Sequence, residues 1–295
     1  MKLAANEVRE KIQESFNFSV DKFPLGGPDG MKTPWYGLFR SDKAEVVGRG
    51  SVTDRYVPHT VDDVLALVDA ASEAFDGEID VKCHFRDGHY VSIQPTKEER
   101  RSVYGTADNV FPRVIVSAGY DGRAFSATMG YYRDLCQNLV IMRQVKGTTV
   151  SIRHTSGLRS EMNDLISSFN LLKSSWGSLT DVIANLENRQ VQMVDFLNTI
   201  YGEPDKDSGR AVTVHKHRTE AIFRRLQRER LNSGRPAIDT DFTVSAWEAF
   251  NAVNGFYLHD AQSKAGFKGE FDRILRASNQ IECLKAERMV LELAV

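Results

Sequence analysis

The chain has 295 residues, of which 41% are hydrophobic and 26% are charged, and this composition excludes a disordered chain and is typical of a globular protein. Its 38 Lys and Arg are balanced by 40 Asp and Glu, so the formal net charge of -2 excludes a global attraction to nucleic acid or anionic lipid. The three cysteines lie far apart without CxxC spacing, which argues against a disulfide scaffold or a zinc site. No apolar run approaches the ~20 residues of a membrane span. We therefore expect a cytoplasmic protein without a membrane segment, a metal or a cofactor.

The N-terminal segments alternate short helices and strands. The sequence predicts a helix over 3–16, a turn segment over 24–30, and strands over 35–40 and 45–49. Thr60 is a good N-cap because Asp63 follows three residues later, and an apolar helical pattern comes directly after it.

Two β-hairpins come next. Residues 79–86 alternate in polarity, and Asp87-Gly88 is the preferred pair for a two-residue type I′ turn. That turn pairs Arg86 with His89, and it places four basic side chains on the face opposite the apolar one: Lys82, His84, Arg86 and His89. A second hairpin is predicted to turn at Asp121-Gly122.

A β-branched strand over 148–155 carries Arg153 and His154, and a helical pattern follows it. Apolar residues then recur at alternating steps of three and four up to Ile200, which is a heptad seam interrupted by the polar Gln190. Most seams of this kind pack into the chain's own core. The alternative is self-association into a homo-oligomer, for which the predicted contact residues are Trp176, Leu179, Ile183 and Leu186.

The segment from Arg210 to Arg235 holds eight Lys or Arg against two acids, and it is predicted to form a basic helix over about 213–231. Further helices are predicted over 243–258, 271–278 and 281–293. The order of elements predicts an α+β fold, in which a mixed antiparallel hairpin sheet packs with long helices and a mostly helical C-terminal region follows. The predicted regions are an N-terminal arm (1–34), a β-rich core (35–157) and a helical region (158–295), the last two forming either one domain or two.

The sequence offers candidate residues for three functions: nucleic-acid binding, nucleophilic catalysis and metal binding. A site for single-stranded nucleic acid needs cations along the phosphates and aromatic faces for the bases, and the candidate residues are Lys82, His84, Arg86, Arg153, His154, Arg218, Arg224, Arg225 and Arg228. The bland interpretation is that a basic helix is a solvated face balanced by acids elsewhere. Nucleophilic catalysis would use Cys136 with His154 as base, although chance alone produces such pairs in a chain with seven histidines.

The histidine pairs give no metal motif. His84 and His89 lack a neighbouring carboxylate, and His215 and His217 point to different sides of a helix. We expect these four side chains to be solvated.

Several segments together resemble a phage- and plasmid-associated family that also occurs in prophages and is known only as a domain of unknown function. The matching segments are Asp54–Pro58, Leu135–Leu139, Ile152–Thr155 and Ala246–Val253. The resemblance implies a setting, the DNA metabolism of a mobile element in the cytoplasm of a bacterial host, and no reaction. Strands with hairpins followed by a long helix are also similar in architecture to phage single-strand annealing proteins of the Erf and Red-beta/RecT type, although fold does not fix function.

The leading hypothesis from the sequence is a phage or plasmid protein that binds single-stranded DNA without a cofactor, as an accessory to annealing or recombination. The first alternative is a non-enzymatic interaction protein that assembles through the heptad helix. The second alternative is a hydrolase or transferase that uses Cys136 and His154.

Overall fold

The computed structural model of the chain forms a mixed α+β fold with a helical C-terminal region. It describes residues 5–48, 51–73, 79–85, 88–95, 110–120, 125–133, 138–140, 149–152, 180–204, 208–238, 240–261, 273–274, 277 and 280–294. The chain divides into two compact units. Unit 1 comprises Met1–Glu99, Pro112–Met129 and Gly147–Ser175, and unit 2 comprises Arg100–Phe111, Gly130–Lys146 and Trp176–Val295. The units alternate along the chain, whereas the predicted regions are consecutive.

The helices and strands are numbered in chain order. They are α1 (Ala5–Ser15), β1 (Val20–Gly26), β2 (Lys32–Arg40), α2 (Val61–Glu73), β3 (Ile79–Phe85), β4 (Gly88–Pro95), β5 (Val110–Gly119), β6 (Phe125–Arg133), β7 (Asn138–Val140), β8 (Thr149–Ile152), α3 (180–188), β9 (Gln190–Gln192), α4 (Met193–Tyr201), α5 (Gly209–Asn232), β10 (Thr243–Ser245), α6 (Ala246–Gly255) and α7 (Ile281–Ala294). A π-helical turn, Phe256–Asp260, continues α6.

Unit 1 is a sheet covered by two helices. β3 is the edge strand and pairs with β4, β4 pairs with β5, and the first half of β6 pairs with β8. α1 contacts β3, and α2 contacts β4. The core holds Val8, Ile12 and Phe16 of α1 with the apolar side chains of α2 and of the four strands β3 to β6. The helix predicted over 3–16 is therefore confirmed over Ala5–Ser15, and its Val8 and Ile12 lie on one buried side.

The predicted start of α2 is also confirmed. The Asp63 backbone N–H donates to Thr60 Oγ1 at 3.2 Å, and the Thr60 N–H donates to Asp63 Oδ2 at 2.7 Å. These two bonds satisfy donors that the first helical turn leaves without partners.

The predictions for residues 24–49 are partly wrong. Residues 20–26 form a strand, β1, which pairs antiparallel with β2 through contacts such as Phe23 with Gly37. The second predicted strand, 45–49, is reduced in its described part to one isolated bridge between Val46 and Phe39. The turn-rich composition around Pro24 did not prevent pairing, because an edge strand with a register irregularity tolerates proline.

The register of the β3–β4 hairpin differs from the prediction by one position. Phe85 pairs with His89 and His84 with Tyr90, and residues 86 and 87 lie between the end of β3 and the beginning of β4. His89 consequently lies on the apolar face and is 1% exposed. Gly88 belongs to β4 and pairs with Gly119, and a Cβ atom there would lie 2.5 Å from the Ala118 carbonyl oxygen. This close backbone approach, and not a type I′ turn, is what requires glycine at position 88.

Unit 2 is built around the buried helix α6. A capping box between Ser245 and Glu248 starts the helix, and the Trp247 side chain is 1% exposed. α6 contacts both α5 and α7, and α4 contacts α7. β9 and β10 form a two-stranded antiparallel ribbon that leads directly into α4 and α6.

The predicted heptad helix does not run through Gln190. The described helical residues end at Asn188. Gln190 lies in β9, opposite Ser245 of β10. Gln192 then caps a new helix, α4, by accepting from the Asp195 N–H at 2.9 Å. Of the helices that the structure describes, none combines the length and the apolar character needed to cross a membrane.

Replacing Gly88 by alanine is expected to shift the urea midpoint of the protein downward. The added Cβ would collide with backbone atoms of β5, and overpacking of this kind costs about 1–3 kcal/mol of unfolding free energy. Gly26→Ala is the matched control, because a Cβ at Gly26 meets nothing within 4 Å. Equal midpoints for the two variants would contradict the close approach.

Candidate functional site

α5 carries the highest density of predicted site residues. Ser208 caps the helix, and Ile222 and Leu226 anchor it to the core with exposed fractions of 0% and 1%. The residues facing away from this anchor are exposed. The helix therefore presents one apolar side to unit 2 and one cationic side to solvent.

Arg225 lies on the inner side of α5 and does not belong to the exposed cationic face that the sequence predicted for it. Its side chain is 8% exposed, and its Nε donates to Asp260 Oδ2 at 2.6 Å. Its Nη1 also donates to Glu229 Oε1 at 3.3 Å. Arg225 is neutralised inside unit 2, because a buried charge must be paired.

The Arg225 pair is part of a larger buried network. Glu229 also accepts from Arg133 Nη1 at 2.8 Å, and the Arg133 guanidinium lies 5.7 Å from the centre of the Trp247 ring. A second group joins Glu248 to Arg230 at 2.7 Å and to Arg235 at 3.1 Å. These ion pairs tie α5 to β6 and α6 within unit 2, so they are structural.

Arg218 is intermediate between the buried and the exposed arginines. Its side chain is 33% exposed, lies 3.9 Å from Glu282 Oε1, and stacks over the Tyr201 ring at 4.8 Å. The distance to Glu282 is longer than a hydrogen bond, and the Tyr201 ring contacts the face of the guanidinium. Both interactions therefore orient Arg218 without occupying its N–H donors.

Arg224 and Arg228 are exposed, as the sequence predicted for a solvated face. They are four residues apart and so share one side of the helix, together with Arg210 and His217. Within the part of the chain that the structure describes, neither Arg210, Arg224 nor Arg228 has an ion-pair partner. We call Arg210, His217, Arg224 and Arg228 the α5 stripe. It spans about 27 Å at 1.5 Å per residue.

Carboxylates are scarce along the stripe. Glu220 is the one acid on the outer side of α5, and it lies 3.9 Å from Lys216 and 4.0 Å from His217. The second acid of α5, Glu229, is held inside by Arg133 and Arg225. Neither acid of α5 therefore forms an ion pair with an arginine of the stripe.

The remaining predicted basic residues lie on unit 1 or outside the described residues. Lys82 and His84 are exposed on the edge strand β3. Arg86, Arg153, His154 and Cys136 fall outside the described residues, as do Trp176 and Leu179 of the predicted seam. Ile183 and Leu186 of that seam are fully buried within the chain.

His89 was expected to be solvated beside Lys82, and that expectation is wrong. A hydrogen bond of 2.8 Å joins His59 Nε2 to His89 Nδ1, one imidazole donating and the other accepting. Phe18 stacks on His89, and Tyr120 stacks on His59. Burial, and secondarily the charge of Arg40, lowers the pKa of His89 to about 3. The His89 ring is therefore neutral at pH 7 and contributes no charge to an anion site.

Neither histidine pair makes a metal centre. No group of three or more His, Cys, Asp or Glu within the described ranges is arranged to hold a metal ion. His84 and His89 lie on opposite faces of the sheet. His89 pairs with Phe85 and shares its face, whereas His84 is the neighbour of Phe85 in β3 and so points to the other face. His217 is exposed, and His215 packs its ring edge-on to Tyr201.

The internal partners of the α5 arginines are not evident from the sequence. Only the Arg225–Glu229 spacing of four residues was visible as a local signal. The other partners, Asp260 for Arg225 and Glu248 for Arg230, are distant in the sequence and acquire their roles through the fold.

Comparison with known families gives one match. Residues 49–284, which are more than half of the chain, match the family described as Domain of unknown function (DUF932). The matched region includes α5 and the buried network, whereas β1 and β2 precede it. No curated protein and no solved structure gives a significant match.

Lowering the pH is expected to destabilise unit 1 through His89. The folded pKa of about 3 lies below the unfolded value of 6.5, so between these values only the unfolded chain binds the proton, and stability falls as the pH falls. The loss at pH 5 is about 2 kcal/mol, at 1.36 kcal/mol per pKa unit. Urea unfolding at pH 7.5 and pH 5 should therefore show a smaller pH dependence in His89→Gln than in the natural chain. His84→Gln, an exposed control, should keep the full dependence; identical profiles for all three proteins would contradict the assignment.

Arg225→Met and Arg224→Met are adjacent substitutions with opposite expected outcomes. Removing Arg225 leaves Glu229 with Arg133 alone and takes one hydrogen-bond donor from Asp260, which costs about 1–3 kcal/mol of unfolding free energy. Removing the exposed Arg224 should change stability by less than about 0.5 kcal/mol. Thermal and urea unfolding measure both values, and a comparable loss in the two variants would refute the internal role of Arg225.

Proposed function

Because this chain belongs to the DUF932 family, whose description names no activity, we propose its function from the charges of α5: the α5 stripe binds single-stranded DNA through its phosphates. The observation that supports this proposal is the division of the α5 arginines into two sets. Arg225 and Arg230 are neutralised inside unit 2, whereas Arg210, Arg224 and Arg228 are exposed without ion-pair partners among the described residues.

A linear row of cations suits a linear polyanion. The stripe extends along one face of a straight helix, and each Arg can contact a phosphate oxygen with a charge-assisted hydrogen bond. Val214 and Leu231 are also exposed on this outer side, at 47% and 58%. Apolar contacts beside cations favour a strand with accessible bases over a duplex, whose bases are stacked inside.

The binding we propose is electrostatic and independent of base sequence. The chain as a whole has a net charge of -2, so affinity must come from this local surface and not from a global field. Lys82 and His84 on β3, with Arg86, Arg153 and His154, are proposed as further contacts. The setting we propose is the DNA metabolism of a phage or plasmid, with annealing or recombination as the process; this setting rests on the sequence resemblance alone.

Self-assembly through the heptad seam has less support. Ile183 and Leu186 are already covered by the chain itself, and the helix that would carry a long seam ends at Asn188. The catalytic alternative with Cys136 and His154 stays a hypothesis, because both residues lie outside the described residues.

The double substitution Arg224→Ala/Arg228→Ala is expected to weaken binding of a labelled oligo-dT at low salt. Each phosphate contact to a single strand contributes about 0.7 to the slope of log affinity against log salt, so losing two contacts should reduce the slope by about 1.4. Fluorescence anisotropy at several salt concentrations measures the slope.

Lys32→Ala/Lys43→Ala is the matched control for this experiment, because it removes two exposed charges from unit 1. The control should keep the natural slope. An equal loss in both double variants would show that net charge governs affinity, and no binding of the natural chain at low salt would overturn the proposed function.

A further inference from the structure

A cavity of about 400 Å³ opens between the end of α4 and the beginning of α5, within unit 2. Its polar lining residues are Tyr201, Ser208, Arg210, His215 and Arg218, and the rest of its lining is apolar. No carboxylate is among the described residues that line it. The formal charge of these described lining residues is positive, which favours an anion.

Arg218 lines this cavity, and its guanidinium is oriented by neighbouring side chains. The Tyr201 ring lies 4.8 Å from the guanidinium carbon and fixes its plane, while Glu282 at 3.9 Å lies on one side without a short hydrogen bond. Glu282 does not line the cavity. A guanidinium fixed in this way presents a planar pair of donors, the geometry that recognises phosphate in a bidentate manner.

His215 supplies a second unused polar group. Its Nε2 atom is buried, and none of the described residues forms a hydrogen bond with it. The ring is held edge-on to Tyr201, with the two ring centres 6.4 Å apart. A buried nitrogen without a partner costs free energy, which a bound ligand would recover.

Arg210 connects the cavity with the α5 stripe. It lines the cavity, is exposed, and has no ion-pair partner among the described residues. A strand that follows the stripe would therefore place one of its ends, or a kinked phosphate, beside Arg210. The cavity is closed to a continuous duplex but large enough for a phosphate with its attached sugar, since small-ligand sites begin at about 300 Å³.

We propose that this cavity binds the terminal phosphate monoester of a single strand, an inference that rests on the proposed function of the stripe. A terminal monoester carries a charge of about -1.5 to -2 at pH 7 and three free oxygens, compared with one charge for each backbone phosphodiester. Two arginines and an imidazole among the described lining residues match the charge and the free oxygens of that end group better than they match the backbone. Arg218 and His215 then read the end of the strand, while Arg224 and Arg228 hold its backbone.

The test compares oligo-dT strands of equal length that carry a 5′-phosphate, a 3′-phosphate or hydroxyls at both ends. The strand with a phosphate at the recognised end should bind the natural chain about tenfold more tightly than the hydroxyl strand at moderate salt. Arg218→Gln should abolish this preference and leave the affinity for the hydroxyl strand nearly unchanged. Arg224→Ala/Arg228→Ala should weaken all three strands by the same factor and preserve the ratio.

Two further measurements separate the sources of phosphate and guard against misfolding. Millimolar inorganic phosphate should remove the preference for the phosphorylated strand, whereas chloride at the same ionic strength should not. Thermal unfolding must show that Arg218→Gln is folded, and His215→Gln provides an independent variant that should also reduce the ratio. Equal binding of all three strands by the natural chain would overturn this inference and leave the proposed function standing; binding of none of them at low salt would overturn both.

Discussion

The pairing of buried charges is the constraint on which unit 2 depends. Arg225 sits on the inner side of α5 and meets Asp260 at 2.6 Å and Glu229 at 3.3 Å, and Glu229 in turn meets Arg133 of β6 at 2.8 Å. An ion without such partners would cost several kcal/mol inside the protein, so each arginine that the core accepts must bring its carboxylate with it. Glu229, one of the two acids of α5, is paired inside unit 2. On the outer side of α5, the arginines therefore outnumber the carboxylates. The cationic surface is therefore a consequence of how the interior is neutralised.

Unit 1 contains a different kind of buried polar group, a hydrogen-bonded pair of imidazoles. His59 and His89 exchange one hydrogen bond inside a nest of aromatic rings, and burial keeps His89 neutral by lowering its pKa to about 3. Arg40 lies outside the nest, where it stacks over Phe18 at 3.8 Å and pairs with Asp42. Adding a proton to His89 would place two cations close together in a poorly solvated site. At these two places, unit 1 buries a pair of imidazoles, whereas unit 2 buries ion pairs and leaves other arginines of α5 exposed.

Much of the fold follows from local sequence patterns, because those patterns encode local contacts. The apolar side of α1 and the Thr60–Asp63 cap depend only on residues a few positions apart, and both are found in the structure, whereas α5 begins four residues before the predicted position 213. The features that the sequence did not predict depend on distant partners. Gln190 fits a heptad seam, yet it pairs with Ser245 in a strand more than fifty residues away. Asp87-Gly88 fits a two-residue turn, yet Gly88 is required by the backbone of β5 at Gly119. A rule based on spacing has no access to either partner.

The candidate site also combines features that local spacing predicts with features that depend on residues distant in the sequence. The density of arginine on α5 is visible in the sequence, and helical periodicity already places Arg224 and Arg228 on one side. The role of Arg225 is not visible, since its partner Asp260 follows thirty-five residues later and its neighbours in sequence are themselves basic. The cavity at the beginning of α5 depends on Tyr201 of a different helix, which orients Arg218 and packs against His215. A count of charges therefore identifies the helix for which we propose an anionic partner, whereas only the contacts of Tyr201 on α4 with Arg218 and His215 on α5 reveal the cavity beside it.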